Sequence, residues 1–90
     1  MPFGKINKQN GRPRHPLSFI RGKENLSRDE LSIIIGTSVN MISRIENGHS
    51  QLSLKSFAAL SEAYDLDIED YKKEVKEFRY KMCDYLLSLD

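Results

Sequence analysis

Leu26–Gly48 reads LSRDELSIIIGTSVNMISRIENG, and this stretch holds two helix starts, two helix stops and two apolar stripes. Ser27-Arg28-Asp29-Glu30 fits a capping box, in which the serine hydroxyl meets a backbone amide three residues on and the glutamate reaches back. A helix is expected from Arg28 to Ile35. Gly36 ends it, because the position after a helix commonly needs a positive φ that glycine adopts cheaply. Ser38 caps a second helix from Val39 to Glu46, with Met41, Ile42 and Ile45 on one side. Asn47-Gly48 supplies its stop.

Working outward, residues 49–52 read as a turn. Ser53 then caps a helix from Leu54 to Tyr64, with Phe57, Leu60 and Ala63 or Tyr64 facing one way. Asp67 caps a fifth helix, with Asp70 as a shorter capping-box partner. Upstream, Pro16 suits a helix's first turn. A short helix follows from Leu17 to Lys23, weakened at Gly22 by ~1 kcal/mol relative to alanine. MPFGKINKQNGRPRH, residues 1–15, has no apolar period and reads as a flexible basic arm. No segment has the period of a strand, so the fold class is all-α: five helices with short links.

The fifth helix is the longest. Ile68, Tyr71, Val75, Phe78, Met82, Tyr85 and Leu89 alternate at spacings of three and four, a heptad seam. Aromatics and methionine are poor seam residues for a strict parallel coiled coil. The stripe either pairs irregularly with its twin in a second chain, the favoured expectation, or folds back on the first helix. The expected organisation is an arm over 1–15, a helical domain over 16–71 and a C-terminal extension over 72–90 that serves as a dimerisation element.

Ninety residues support one domain, and 39% hydrophobic with 30% charged residues is a globular profile. The net charge of +1 hides a division. Residues 1–28 carry Lys5, Lys8, Arg12, Arg14, Arg21, Lys23 and Arg28 against only Glu24, whereas residues 29–90 carry seven basic and twelve acidic side chains. Phosphate neutralisation depends on where positive charge sits, so the basic N-terminal third matters more than the total. One cysteine, Cys83, excludes an internal disulfide, and no Cys/His cluster suggests a metal. There is no signal-like N-terminus and no apolar run of membrane length, so a cytoplasmic location is expected, with no membrane partner.

Two short helices joined by a tight glycine turn are the arrangement that lays the second helix in a DNA major groove. Leu31, Ile35, Ile42 and Ile45 can hold the pair at a fixed angle, and the exposed first turns offer free amides to phosphates. Leu26–Ser32, Gly36-Thr37-Ser38 and Ile42–Gly48 closely resemble the helix-turn-helix of phage repressor and Cro-like regulators, the XRE family. The likeness continues through Leu54, Phe57, Leu60, Ala63, Leu66 and Ile68, and spans residues 17–71. It implies a lambda-repressor-like DNA-binding domain with Val39, Asn40, Ser43 and Arg44 turned toward base edges. Asparagine matches adenine, arginine matches guanine and valine matches a thymine methyl; for Arg44 a plain phosphate contact is the competing reading. Arg28, Ser38, Asn47, Ser53 and Lys55 are expected on the DNA backbone. The resemblance also pairs Arg21 with Glu46. Arg28 stands where the family usually has glutamine, which puts in doubt the support that glutamine gives the recognition helix.

Other departures from the family are Val39 and Met41, which leave fewer polar groups for readout, Ser32 in place of a small alanine, and Ile33 and Ile34 in place of charged residues. The two isoleucines form an apolar partner patch if exposed, or lie beneath the fifth helix. Gly11-Arg12-Pro13-Arg14 resembles the core of an AT-hook, so Arg12 and Arg14 are expected along a minor groove.

An enzyme is not expected. His15 lies in the arm and His49 in a loop, neither with a nucleophile beside it, and the acids have capping or solvent roles. No cofactor, metal or small-molecule ligand is expected. The leading function is a transcriptional regulator, a repressor binding a palindromic operator as a homodimer. The alternative is an antitoxin-like or adaptor module whose long helix binds a regulatory protein, with DNA binding secondary.

Overall fold

The computed structural model describes residues 12–89, and α-helix is their only regular secondary structure. The helices are α1 (Pro16–Lys23), α2 (Arg28–Ile35), α3 (Val39–Glu46), α4 (Leu54–Tyr64) and α5 (Ile68–Leu87). Each start has a side-chain cap. The Ser27 Oγ accepts from the Glu30 amide at 3.0 Å while the Glu30 carboxylate accepts from the Ser27 amide at 2.8 Å, a complete capping box. Ser38 and Ser53 cap α3 and α4 through the Met41 and Ser56 amides. Asp67 caps α5 by accepting from Glu69 and Asp70, without the reciprocal bond from Asp70, whose side chain is one methylene short of glutamate's. Gly36 (φ +67°) and Gly48 (φ +84°) take the left-handed conformation that ends α2 and α3. Asn25 and Asp65 take it after α1 and α4, as the two side chains that tolerate it best.

One core joins the helices. Leu17 and Ile20 of α1, Leu31 and Ile35 of α2, Ile42 and Ile45 of α3 and Leu60 of α4 form a single buried cluster. Met41, expected on the apolar side of α3, stays 37% exposed, because the residue after it already fills the core-facing position of that turn. Tyr64 packs against the cluster while Ala63 faces solvent, which settles which of the two lies on the buried side of α4.

Two placements differ from the sequence reading. His15 is not in a loose arm: it is 5% exposed, and its Nδ1 accepts from the Leu17 amide at 3.0 Å as the N-cap of α1. Its ring stands edge-on against Phe78 at 4.8 Å and Tyr71 at 6.5 Å. The first half of the α5 seam is likewise internal. Phe78 is 4% exposed beside His15 and Gly48, and Tyr71 stacks at 5.0 Å on Phe57. Phe78 is therefore closed to the accessible dimer surface expected of it and Tyr71 is half-buried, because α5 packs against α1 and the turn after α3, the fold-back alternative for this stripe. Val75, Met82 and Tyr85 are half-buried, and Leu89 is exposed. Residues 1–11 of the expected arm, with Gly11 of the AT-hook-like stretch, and Asp90 lie outside the described residues.

Candidate nucleic-acid interface

The periodicity of α3 separates two faces. Ile42, Ile45 and Glu46 point inward and are buried, while Val39, Asn40 and Arg44 are exposed and Ser43 is partly so. Residues 39, 40, 43, 44 and 47 share one side at helical spacing, so five positions of a single surface present an apolar group, two amides, a hydroxyl and a guanidinium. Met41 adds an apolar edge to this surface. Arg44 is not extended: its Nε donates to Ser50 Oγ at 3.1 Å, which folds the guanidinium over the turn after α3.

Glu46 anchors the end of α3 from below. Its carboxylate accepts from Arg21 Nε at 2.9 Å and Arg21 Nη2 at 3.3 Å, and from Arg28 Nη2 at 3.1 Å and Arg28 Nε at 3.3 Å. One buried acid thus holds α1, α2 and α3 together, and Arg21 Nη1 also donates to the Leu26 carbonyl. Arg28 therefore does not abandon the recognition helix where the family has glutamine. It reaches the same helix through Glu46 while its side chain stays 45% exposed.

The start of the described chain reaches the same region. Arg12 Nη2 donates to Asn47 Oδ1 at 3.1 Å, so this arginine meets the C-cap of α3 rather than standing free. Arg14 turns the other way: it bonds the hydroxyl and carbonyl of Ser18 and lies 5.9 Å from the Phe19 ring centre. Both arginines line one groove, each tied to a different partner. Ser38, Ser53 and Lys55 are exposed at the starts of α3 and α4, where amides lack intrahelical partners. Ile33 is 80% exposed and uncovered by α5, whereas Ile34 packs against the core.

Three contacts escape the sequence reading. Ser50 holds Arg44, Asn47 is tied to Arg12, and His15 carries α1 on α5. A serine two residues beyond a helix stop is the only signal for the first. Burial lowers the His15 pKa to about 4, outweighing the pull of Glu46 and helped by Arg79, so the ring is neutral. Burial also raises the Tyr71 phenol above its ordinary range. Among the described residues no cluster of metal-ligating side chains occurs, and no helix is long and apolar enough to cross a membrane.

A family model described as Helix-turn-helix matches residues 17–71, more than half of the chain. No curated protein and no solved structure gives a significant match. The matched span runs from the first core leucine of α1 to the Tyr71 ring on Phe57, and so takes in all four helices that share the core.

Proposed function

Because the chain belongs to the Cro/C1-type helix-turn-helix family of DNA-binding transcription regulators, we propose that it represses transcription by occupying a two-fold symmetric operator as a homodimer. The observation that carries this reading is the exposed face of α3, held from behind by Glu46 and flanked by the capped starts of α2 and α4. Val39, Asn40 and Ser43 read base edges, and Arg44 reads guanine once released from Ser50. Ser38, Asn47, Ser53 and Lys55 fix the register on phosphates, which position the protein without specifying sequence. Arg12 extends these contacts from the end of α3. Arg28 contributes mainly through Glu46. Repression follows from occupancy, since a helix in the groove at a promoter excludes other proteins without chemistry.

Selection of bound sequences from a randomised duplex pool tests the reading directly. A recovered palindrome, with half-sites about one helical turn apart, is the expected result. Binding without sequence enrichment would reduce the function to phosphate attraction. The second reading, a module that binds a regulatory protein, draws on one observation: Ile33 of α2 is 80% exposed, and Leu86, Leu87 and Leu89 at and just beyond the end of α5 are 57–74% exposed. Failure to bind any duplex would favour it.

A further inference from the structure

Between the turn that follows α3 and the first half of α5 lies a cleft of about 360 Å³, in the size range of small-molecule sites. Leu52, Phe57, Val75 and Phe78 give it apolar walls, and Lys72, Lys76 and Arg79 line its α5 side. The cleft takes only positive charge from α5. Positions 72, 76 and 79 recur at helical spacing toward the cleft, while the acids Glu74, Glu77 and Asp84, with Lys81, line a second groove beside Arg12 and Arg14. Among the described residues no carboxylate lines the cleft, and none of its three cations lies within ion-pair distance of an acid. Like charges four apart on a helix repel, so an anion placed here relieves a cost already present in the fold. In the same wall the buried Tyr71 hydroxyl has no hydrogen-bond partner.

Apolar walls suit an apolar body, and three unopposed cations suit an anionic head. We propose that this cleft binds a small amphiphilic carboxylate and that occupancy is felt at the end of the recognition helix. The route is short. Ser50 lines the cleft and also accepts from Arg44 Nε at 3.1 Å. The His49 and Ser50 amides donate to the Arg44 carbonyl at 2.8 and 3.3 Å. Gly48, also in the wall, rests against the Phe78 ring, where even a methyl group would sit 3.4 Å from Cε2. A ligand that shifts Ser50 therefore changes whether Arg44 is held back or free. Binding in the cleft stands independently of the DNA reading; its effect on DNA rests on that reading.

The test titrates the ¹⁵N-labelled full chain with octanoate, octanol and inorganic phosphate, followed by NMR amide shifts. Octanoate is expected to saturate a single set of shifts at Ser50–Leu52 and Lys72–Arg79, with octanol at least tenfold weaker. Joint replacement of Lys72, Lys76 and Arg79 by glutamine should weaken octanoate at least tenfold and leave octanol unchanged. Val75→Trp, which fills the cleft without touching its charge, should abolish both. Octanoate shifts confined to Ile33 or Leu86–Leu89, or octanoate binding that survives Val75→Trp, would overturn the proposal. So would phosphate binding as tightly as octanoate, which would mark a plain phosphate surface. A duplex titration with octanoate saturating is expected to change affinity at least threefold. Unchanged affinity with octanoate bound would overturn the coupling. An absence of duplex binding alongside intact octanoate binding would overturn the DNA reading instead.

Discussion

Glu46→Gln isolates the charge that joins three helices, because glutamine keeps the side chain's shape. The acid is 4% exposed and meets two guanidinium groups of unequal exposure, Arg21 at 21% and Arg28 at 45%. Hydrogen bonds to a charged partner contribute about 1.5–3 kcal/mol each when sheltered, so the loss of the Arg21 bond accounts for about 2 kcal/mol. The Arg28 pair is solvent-screened and adds only ~0.5 kcal/mol. Glutamine also turns an amide donor toward arginine donors, so the sum of ~2–3 kcal/mol stays below the 3–5 kcal/mol of a fully buried pair only because Arg21 keeps its Leu26 bond. For a domain of this size that is a fall in Tm of about 10–20 °C. Urea and thermal unfolding followed by circular dichroism measure it, with Arg21→Gln expected near 2 kcal/mol and Arg28→Gln near 0.5 kcal/mol. A Glu46→Gln loss under about 1 kcal/mol, or equal losses for the two arginine variants, would refute the assignment of Glu46 as the charged clamp.

Other outcomes follow from the same structure. His15 has its pKa lowered from 6.5 to about 4, so the unfolded chain binds more protons between these values and stability falls as pH drops from 6.5 toward 4. The loss is about 3 kcal/mol, it levels off only below pH 4, and His15→Gln should flatten that part of an unfolding-versus-pH curve. Gly22→Ala removes a helix-interior glycine worth about 1 kcal/mol but sets its Cβ against Arg14 Nη2 at 2.6 Å. Arg14 is a movable side chain, so a rise in Tm is expected, and a fall would show that its bonds to Ser18 matter more than helix propensity. Arg44→Ala should weaken a selected duplex about 10- to 100-fold more than random duplex, and equal losses would leave Arg44 on phosphate. Replacing Leu86, Leu87 and Leu89 together by serine should lower the mass in sedimentation equilibrium without loss of helix content, if the exposed end of α5 joins two chains. A dimer that survives this change must use another surface.

The fold is legible in the sequence because its punctuation is chemical. Ser27, Ser38 and Ser53 mark helix starts, and Gly36 and Gly48 mark stops at φ values that glycine reaches without strain. The exposed face of α3 is legible for a similar reason, since helical spacing by itself assigns the two sides. What stays hidden depends on where one helix lands on another. A heptad stripe shows that α5 has an apolar side but not whether that side meets its own chain, and Phe78 lies against His15 from a segment more than sixty residues away. His15 is hidden with it. A histidine between an arginine and a proline in a basic run looks solvated until an aromatic partner arrives. The Arg28–Glu46 bond is hidden because family analogy supplies a support suited to glutamine, whereas the longer guanidinium reaches Glu46 directly.

These late-arriving contacts share one consequence. Besides the core contacts of Ile42 and Ile45, the polar bonds that hold α3 gather at its C-terminal end: Glu46 by two arginines, Asn47 by Arg12, and the Arg44 carbonyl by the turn that Phe78 supports. Its first turn, with Val39 and Asn40, has a serine cap and no comparable tether. The truncation that best tests the dimer is constrained by the same geometry. Removing everything after Tyr71 takes away Phe78 and unseats His15, so its failure would report a collapsed support, not a lost interface. Only changes beyond Tyr85, in the exposed leucines, separate how the chain folds from how it assembles.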